Sequence, residues 1–262
     1  MSLYVYCICD GSESEAFGGA VGLGGAAARV LKFGRVAAVV GDVEDGARVA
    51  ATGENVSAHN RVCSHALASV TPLPARFGTL VAEARLAGYV AASEAALVSA
   101  LARVRGCVEM GVKIRDDAAR AKDEKRMTKE GSEKDDDAAA AFAKDEGRED
   151  VAETRNKVAR VGSGTAFLLA KRREILGDES LKLRAEELAA WLDRRVSGLV
   201  RESAARLRPS ESLAVRAAHL VERVWVEEYR GRVRALCDEH PGLQFLTSGP
   251  WPPYSFSEIE AR

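Results

Sequence analysis

The sequence has no excess of charge of either sign. Among 262 residues, Lys and Arg number 38 and Asp and Glu number 39, which gives a formal net charge of -1. Proteins that bind nucleic acid or anionic lipid through electrostatic attraction carry a basic excess. This balance therefore argues against a nucleic-acid partner and against attraction to a membrane surface.

Long hydrophobic runs are also missing. Runs such as 3–9 and 36–40 are far shorter than the roughly 20 apolar residues of a membrane-spanning helix. The N-terminal residues go straight into a strand pattern without a basic segment, which predicts no signal peptide. We therefore expect a cytoplasmic protein.

Cysteine pairs with a disulfide or zinc spacing are absent. The count is odd, and neither CxxC nor tetrahedral zinc spacing occurs, which favours a reducing compartment and no metal. Cys7 and Cys9 lie two apart on a predicted strand, so both face one side, and we interpret them as small buried hydrophobic residues. The five cysteines are Cys7, Cys9, Cys63, Cys107 and Cys237.

Catalytic and cofactor motifs are missing as well. The four histidines are scattered without HExxH, no GxSxG occurs, and His59 is interpreted as a capped or surface histidine on a helix rather than a catalytic base. The glycine-rich stretch GGAVGLGG at 18–25 lies about a dozen residues after the first strand. A dinucleotide-binding turn directly joins a strand to a helix, so we interpret this stretch as a flexible loop. We predict no catalytic residue and no cofactor.

The first half predicts strands interleaved with helices. Residues 3–9 are apolar on both faces, as in a central buried strand, and 11–29 form a long loop. The pattern then predicts a strand at 35–42, a helix at 55–68 capped by Asn55, extended chain at 71–79, helices at 80–87 and 93–104, and a strand at 107–114. This order indicates an N-terminal ferredoxin-like α+β sandwich over residues 1–115.

Residues 116–150 break this pattern, because they are rich in charges of both signs and poor in large apolar side chains. We predict a linker, either disordered or a solvated helix. A second α+β domain with long helices follows over 151–262. Its predicted elements are helices near 150–161 and 165–176, a helix at 180–207 with an apolar seam, a strand at 212–224, a helix at 225–239 and a strand at 243–247. The seam could pack within the chain or against a second copy.

Two proline-containing segments are candidate partner-binding sites. In TPLPARFGT (71–79), two prolines fix an extended chain that presents Arg76, Phe77, Gly78 and Thr79. In SGPWPPYSF (248–256), three prolines predict a polyproline II strap with Trp251 and Tyr254 on one face. The strap could pack on its own sheet or contact a partner.

Glu109 and Lys113 are four apart on a predicted strand and project to the same side. Three interpretations stay open for them: an ion pair between them, a bridge from Glu109 to Arg76, or contact with a partner.

The sequence resembles the gas vesicle protein F/L family (GvpF/GvpL). The matching segments occur in the family's order and cover nearly the whole chain outside 115–150. Met110 and His219 depart from residues that are larger or aromatic in other members, and the charged insert is unusually long. The matching segments are YVYCI, VAAVVGDV, AHNRV, PLPARFGT, VEMGVKI, GSGTAFLLAKR and GPWPPYSF.

The resemblance implies a role in building gas vesicles, as an accessory or minor structural protein associated with the vesicle. Its implied partners are the small gas vesicle wall protein and other gas vesicle accessory proteins, with no catalytic residue, cofactor or small-molecule substrate. The alternative function is a small-ligand enzyme on a ferredoxin-like barrel, which would need a pocket that brings together His59, Arg76 and Glu109. Whether the chain remains in the finished vesicle or acts only in assembly stays open.

Overall fold

The structure is a computed structural model that describes residues 2–12, 19–116, 179, 182–206 and 213–258. Two antiparallel sheets and four α-helices account for most of these residues. The α+β class is therefore confirmed.

The first sheet is built around β1 (Ser2–Asp10). On one side of β1 lie β3 (Val36–Val43) and then β2 (Arg29–Phe33). Two short strands, β4 (Leu73–Pro74) and β5 (Leu80–Ala82), both pair with its other edge. Helix α1 (Gly53–Ser69) packs on one face of this sheet, and α2 (Glu83–Val104) packs on the other.

Side chains on both faces of β1 are buried because α1 and α2 cover opposite faces of the sheet, and an irregularity interrupts the alternation of the strand. The register with β3 shifts between Val5 and Cys7. As a result Tyr6 and Cys7 both lie in the cluster on the α1 side, whereas Val5 lies in the cluster on the α2 side. The continuous apolar run of the sequence thus fits a central strand with a bulge.

The second sheet has the strand order β7-β8-β6-β9, with every pairing antiparallel. Its strands are β6 (Cys107–Asp116), β7 (Val200–Arg206), β8 (Leu213–Glu222) and β9 (Leu243–Trp251). Helix α3 (182–196) precedes β7, and α4 (Val226–Glu239) joins β8 to β9. This is the order and connectivity of a ferredoxin-like sheet.

The first sheet repeats this order, β2-β3-β1-β4, with helix α1 between β3 and β4. Between β1 and β2, the described residues form short 3-10 turns at 11–12 and Leu23–Gly25 and an isolated bridge from Val21 to Ala27, rather than an α-helix. The ferredoxin-like prediction therefore holds for strand order in the first sheet, and the second sheet matches the pattern more completely.

Helix α2 is a layer shared by the two sheets. Its buried residues Leu97 and Leu101 belong to one hydrophobic cluster with Leu3 of β1 and Leu220 of β8. The opposite face of the second sheet packs on α3 and α4 through a separate cluster. Helix α2 therefore lies between the two sheets, whereas Leu67 near the end of α1 reaches the cluster on the α3 and α4 side.

The predicted strand at 107–114 exists, but its expected place in the first sheet is wrong. It forms β6, which pairs with β8 and β9. An alternating apolar pattern predicts a half-exposed strand without specifying which strand it will pair with. The boundary near residue 115 stays a prediction, although β6 itself is bonded to strands of the second half.

Several predicted elements have different ends. The helix expected at 180–207 stops at 196 in a turn containing Gly198, and β7 follows. The helices expected at 80–87 and 93–104 are the single helix α2, preceded by β5. The cap of α1 is Thr52, whose hydroxyl accepts from the Asn55 backbone N–H, rather than Asn55 itself. Strand β2 was missed, since only its first residue falls in the predicted loop at 11–29 and no element was predicted for 30–34.

The remaining strands and helices fall close to their predicted places. The strands at 3–9 and 35–42, the strand at 212–224 and the helix at 225–239 are confirmed, and the predicted strand at 243–247 extends to Trp251. The linker predicted at 116–150 and the helices near 150–161 and 165–176 lie almost wholly outside the described residues.

A buried histidine joins three elements of the second half. The His219 side chain on β8 is fully buried, with its Nδ1 2.6 Å from the Tyr229 hydroxyl on α4 and its Nε2 3.0 Å from an Asp193 carboxylate oxygen on α3. With Nε2 protonated, the ring donates to Asp193 and accepts from Tyr229. Burial lowers the pKa of His219, against the opposing attraction of Asp193, so the neutral ring is favoured in the folded protein.

Because His219 is buried as a neutral ring, we predict that the free energy of unfolding decreases at acidic pH. Below the ordinary histidine pKa of about 6.5 the unfolded state binds a proton that folded His219 resists, so the free energy of unfolding drops as pH falls. We expect His219→Phe to lessen this pH slope by up to about 1 kcal/mol per pH unit. Urea unfolding across this pH range measures it. The same change at exposed His65 is the control, and equal slopes for His219→Phe and the parent would contradict the assignment.

Candidate functional site

The PLPARFGT segment forms a short excursion from the edge of the first sheet. The Ala75 N–H donates to the Tyr6 carbonyl (2.8 Å), and the Val5 N–H donates to the Thr79 carbonyl (3.0 Å), so both ends remain bonded to β1. Between them, Thr79 donates to the Arg76 carbonyl through its backbone N–H (3.1 Å) and its hydroxyl (2.6 Å). The predicted extended segment is therefore confirmed at β4, and residues 76–78 project outward as a turn.

A buried chain of hydrogen bonds backs this turn. Gly78 takes the positive φ of +84° that the turn requires, and its N–H donates to the Tyr4 hydroxyl at 3.2 Å. The Tyr4 hydroxyl lies 2.9 Å from His59 Nδ1, and His59 Nε2 lies 3.6 Å from the Cys63 sulfur. The Cys63 thiol in turn donates to the Tyr6 carbonyl at 3.3 Å.

One proton arrangement satisfies every member of this chain, which we call the Tyr4 relay (Gly78, Tyr4, His59, Cys63 and Tyr6). Tyr4 donates to His59 Nδ1, and the opposite ring N–H donates to Cys63. Burial raises the pKa of Tyr4, which keeps its hydroxyl protonated as a donor. The side chains of Tyr4 and His59 are at most 1% exposed, so the interpretation of His59 as a surface residue is wrong.

The glycine-rich stretch at 18–25 packs against the side chain of Tyr6. The Leu23 N–H donates to the Tyr6 hydroxyl at 2.8 Å. A side chain on Gly22 would begin 2.1 Å from that oxygen, closer than any atom is tolerated. Glycine at 22 is thus explained by packing against Tyr6, which supports the choice against a phosphate-binding loop.

Residues 248–256 (SGPWPPYSF), which we call the closing segment, pack against the core of the same chain. Pro252 and Pro253 are buried, and Phe256 is 2% exposed. The Glu109 carboxylate accepts from the Ser255 N–H (2.7 Å) and the Ser255 hydroxyl (3.0 Å). These buried residues pack on the protein's own chain, which agrees with the first of the two alternatives for the strap. Partner contact by its exposed residues stays a prediction.

The predicted polyproline II conformation is wrong for this segment, since Trp251 ends β9 and Tyr254 begins a 3-10 turn (Tyr254–Phe256). The two aromatic side chains still share a site. Both line an open depression of about 310 Å³ between α1 and the closing segment. The other lining residues are Asn60, Ser64, Glu109 and Pro252.

Tyr254 connects this depression to the PARFG turn. Its hydroxyl donates to the Asn60 amide oxygen at 2.7 Å, and its ring centroid lies 6.2 Å from that of His59. On the other side, the His59 ring lies 5.8 Å from the half-buried Phe77 ring. The structure therefore brings Phe77, Tyr254, Trp251 and Glu109 into one region, which we call the aromatic surface together with its exposed neighbour Arg76.

Lys113 lies apart from the aromatic surface. It pairs with Leu246 in β9, whereas Glu109 pairs with Trp251. Four residues of strand separate Lys113 from Glu109 by about 13 Å. The expectation that both project to the same side of β6 agrees with the burial of the intervening Met110 and Val112 on the opposite side.

The depression holds one of the three residues that the alternative enzyme requires. Glu109 lines it, whereas His59 is buried beneath and the Arg76 side chain is exposed on the turn. In the described part of the chain, no cluster of three His, Cys, Asp or Glu residues is placed to hold a metal ion. Nor does any helix among those residues have the length and apolar character to cross a bilayer.

The whole chain is similar to known gas vesicle proteins. Residues 2–258 match the sequence model of the family described as "Gas vesicle synthesis protein GvpL/GvpF". The chain belongs to this family. A curated relative, gas vesicle protein L from Streptomyces sp. (strain CB03234), is 29% identical over 276 residues, covering 98% of this chain and 92% of the relative.

Solved structures of GvpF share the fold. The crystal structure of GvpF from Anabaena sp. PCC7120 superposes with a TM-score of 0.72 at 17% identity, covering 99% of this chain and 97% of that one. GvpF from Microcystis aeruginosa gives a TM-score of 0.68 at 13% identity, covering 98% and 99%. The family resemblance in the sequence is thus confirmed, together with the α+β fold of two sheets.

The residues of the Tyr4 relay were missed as a set by sequence reasoning. Their spacing was visible: Tyr4 and Tyr6 are two apart on a strand, and His59 and Cys63 are four apart on a helix. Each pair therefore shares one face of its element. What the spacing did not show is that α1 packs these two faces against each other.

Removing the Tyr4 hydroxyl, which lies at the centre of the relay, tests the relay in this GvpL/GvpF-family chain. We expect Tyr4→Phe to lower the free energy of unfolding by about 1–3 kcal/mol, because the Gly78 N–H and His59 Nδ1 lose their partner without a change in shape. Urea unfolding followed by circular dichroism measures it. Tyr89→Phe, on a side chain 48% exposed, is the matched control and should change stability by less than about 0.5 kcal/mol. Equal effects at the two positions would contradict the relay.

Proposed function

We propose that this chain binds the small gas vesicle wall protein and other gas vesicle accessory proteins during vesicle assembly, and that it does so through the aromatic surface. It acts by holding other chains rather than by catalysis. The observation that carries the proposal is that the two proline-containing segments, far apart in sequence, pack against the same buried His59 ring, and each carries an exposed side chain, Arg76 or Trp251.

Rigidity supports a binding role for this region. The turn at 76–78 is bonded to β1 at both ends and to Tyr4 at its centre. The closing segment is held by Glu109 and by the buried ring of Phe256. A surface that is already ordered loses little conformational entropy when a partner docks, so more of the contact energy remains as affinity.

The side chains of the aromatic surface have the chemistry of protein interfaces. Trp251 is 46% exposed, and Arg76 is exposed beside the half-buried Phe77. Tryptophan, tyrosine and arginine are enriched among the residues that dominate binding energy. Subunits of a gas-filled shell must carry large apolar faces, and such faces aggregate unless another protein covers them.

Co-purification with the wall protein tests this proposal. We expect Arg76→Glu combined with Trp251→Ser to reduce the recovered wall protein about tenfold or more, since loss of a hot-spot residue costs at least about 2 kcal/mol. Both side chains are exposed, so the circular dichroism spectrum should remain that of the parent. Phe77 is left unchanged, because its ring also packs against Tyr4 and His59.

Trp225→Ser is the matched control, because Trp225 is 44% exposed and does not line the depression. Recovery that is unchanged in the double variant, or reduced equally by Trp225→Ser, would overturn the assignment of the surface. Assaying washed, purified vesicles for the chain then distinguishes a wall component from an assembly factor.

A further inference from the structure

One half of a face of the second sheet carries no helix in the described part of the chain. Along β6, Val108, Met110, Val112 and Ile114 are buried against α3 and α4. The alternate residues point to the opposite face. There α2 and Phe256 cover Leu220, at one end of the sheet.

The other end of this face is exposed and basic. Lys113 of β6 pairs directly with Arg216 of β8, and both are exposed. On the other side of Lys113 stands Leu246 of β9, which is 48% exposed. Arg115, also exposed, lies two residues further along β6. We call this region the basic face (Lys113, Arg115, Arg216 and Leu246).

These cations lack acidic partners among the described residues, unlike other surface arginines of the chain. Arg29 pairs with Asp42, Arg105 with Asp10 and Arg201 with Glu222, each at 2.7 or 2.8 Å. Lys113 and Arg216 instead face each other across adjacent strands, where like charges destabilise a sheet. An arrangement that costs stability in the isolated chain is relieved when negative charge is brought to it.

We propose that the basic face is a docking site for an acidic polypeptide segment of a partner protein. The carboxylates of the segment pair with Lys113, Arg115 and Arg216, and its apolar side chains lie on Leu246. This site is separate from the aromatic surface and does not depend on the proposed function.

A polypeptide suits this face better than a nucleic acid. The cations are few and clustered beside an apolar side chain, whereas a nucleic-acid groove tracks a backbone with repeated cations and stacks bases on aromatic rings. No aromatic residue pairs with Lys113 or Arg216 in the sheet register. The balanced charge of the whole chain points the same way.

Fluorescence anisotropy of the full chain with a labelled amphipathic peptide, with glutamate on its polar face and leucine on the other, tests the proposal. We expect saturable binding that weakens as salt rises from about 50 to about 300 mM. Lys113→Glu combined with Arg216→Glu should weaken binding about tenfold or more, because a like-charge surface repels the peptide. Lys113→Gln with Arg216→Gln should give an intermediate loss.

Arg234→Glu is the control for net charge, since Arg234 is exposed on α4, which packs on the other face of the sheet. It should leave binding unchanged, as should the aromatic-surface variant Arg76→Glu with Trp251→Ser. Binding that is absent, or equally strong for the glutamine version of the peptide, overturns the proposal. Equal or tighter binding of single-stranded DNA at the same residues also overturns it, because the site would then select phosphate.

Discussion

The hydrogen bonds that run from Gly78 through Tyr4, His59 and Cys63 to Tyr6 hold three elements of the first half of the molecule together. They connect the edge turn, the central strand and helix α1. Because the side chains of Tyr4, His59 and Cys63 are buried, moving the strand or the helix would leave a donor or acceptor unpaired. The position of the turn that exposes Arg76 therefore follows from the position of a tyrosine in the core.

The second half also contains a buried histidine that joins a strand to helices through hydrogen bonds. His219 links β8 to α3 through Asp193 and to α4 through Tyr229. In each half a histidine that sequence reasoning did not place in a core is a buried junction between a strand and helices. A polar group at such a junction fixes orientation, because a hydrogen bond depends on direction in a way that apolar packing does not.

Sequence reasoning located most strands and helices, and the family, because these depend on local patterns and on whole motifs. It failed where the outcome depends on tertiary pairing. The pattern at 107–114 predicted a strand, but its partners come from residues about 100 positions away. Leu199 continued the apolar spacing of a helix, although the chain turns at Gly198 and enters β7. Aromatic spacing in SGPWPPYSF suggested one shared face, which the structure produces through a strand end and a 3-10 turn.

The sharing of α2 between two sheets bears on how the chain is made. The first sheet and α2 leave the ribosome well before β8 and Phe256, which complete the cluster on the other side of that helix. Until then, the stripe of α2 that will meet the second sheet faces water or a chaperone. Separate expression of the two halves would leave that stripe bare permanently.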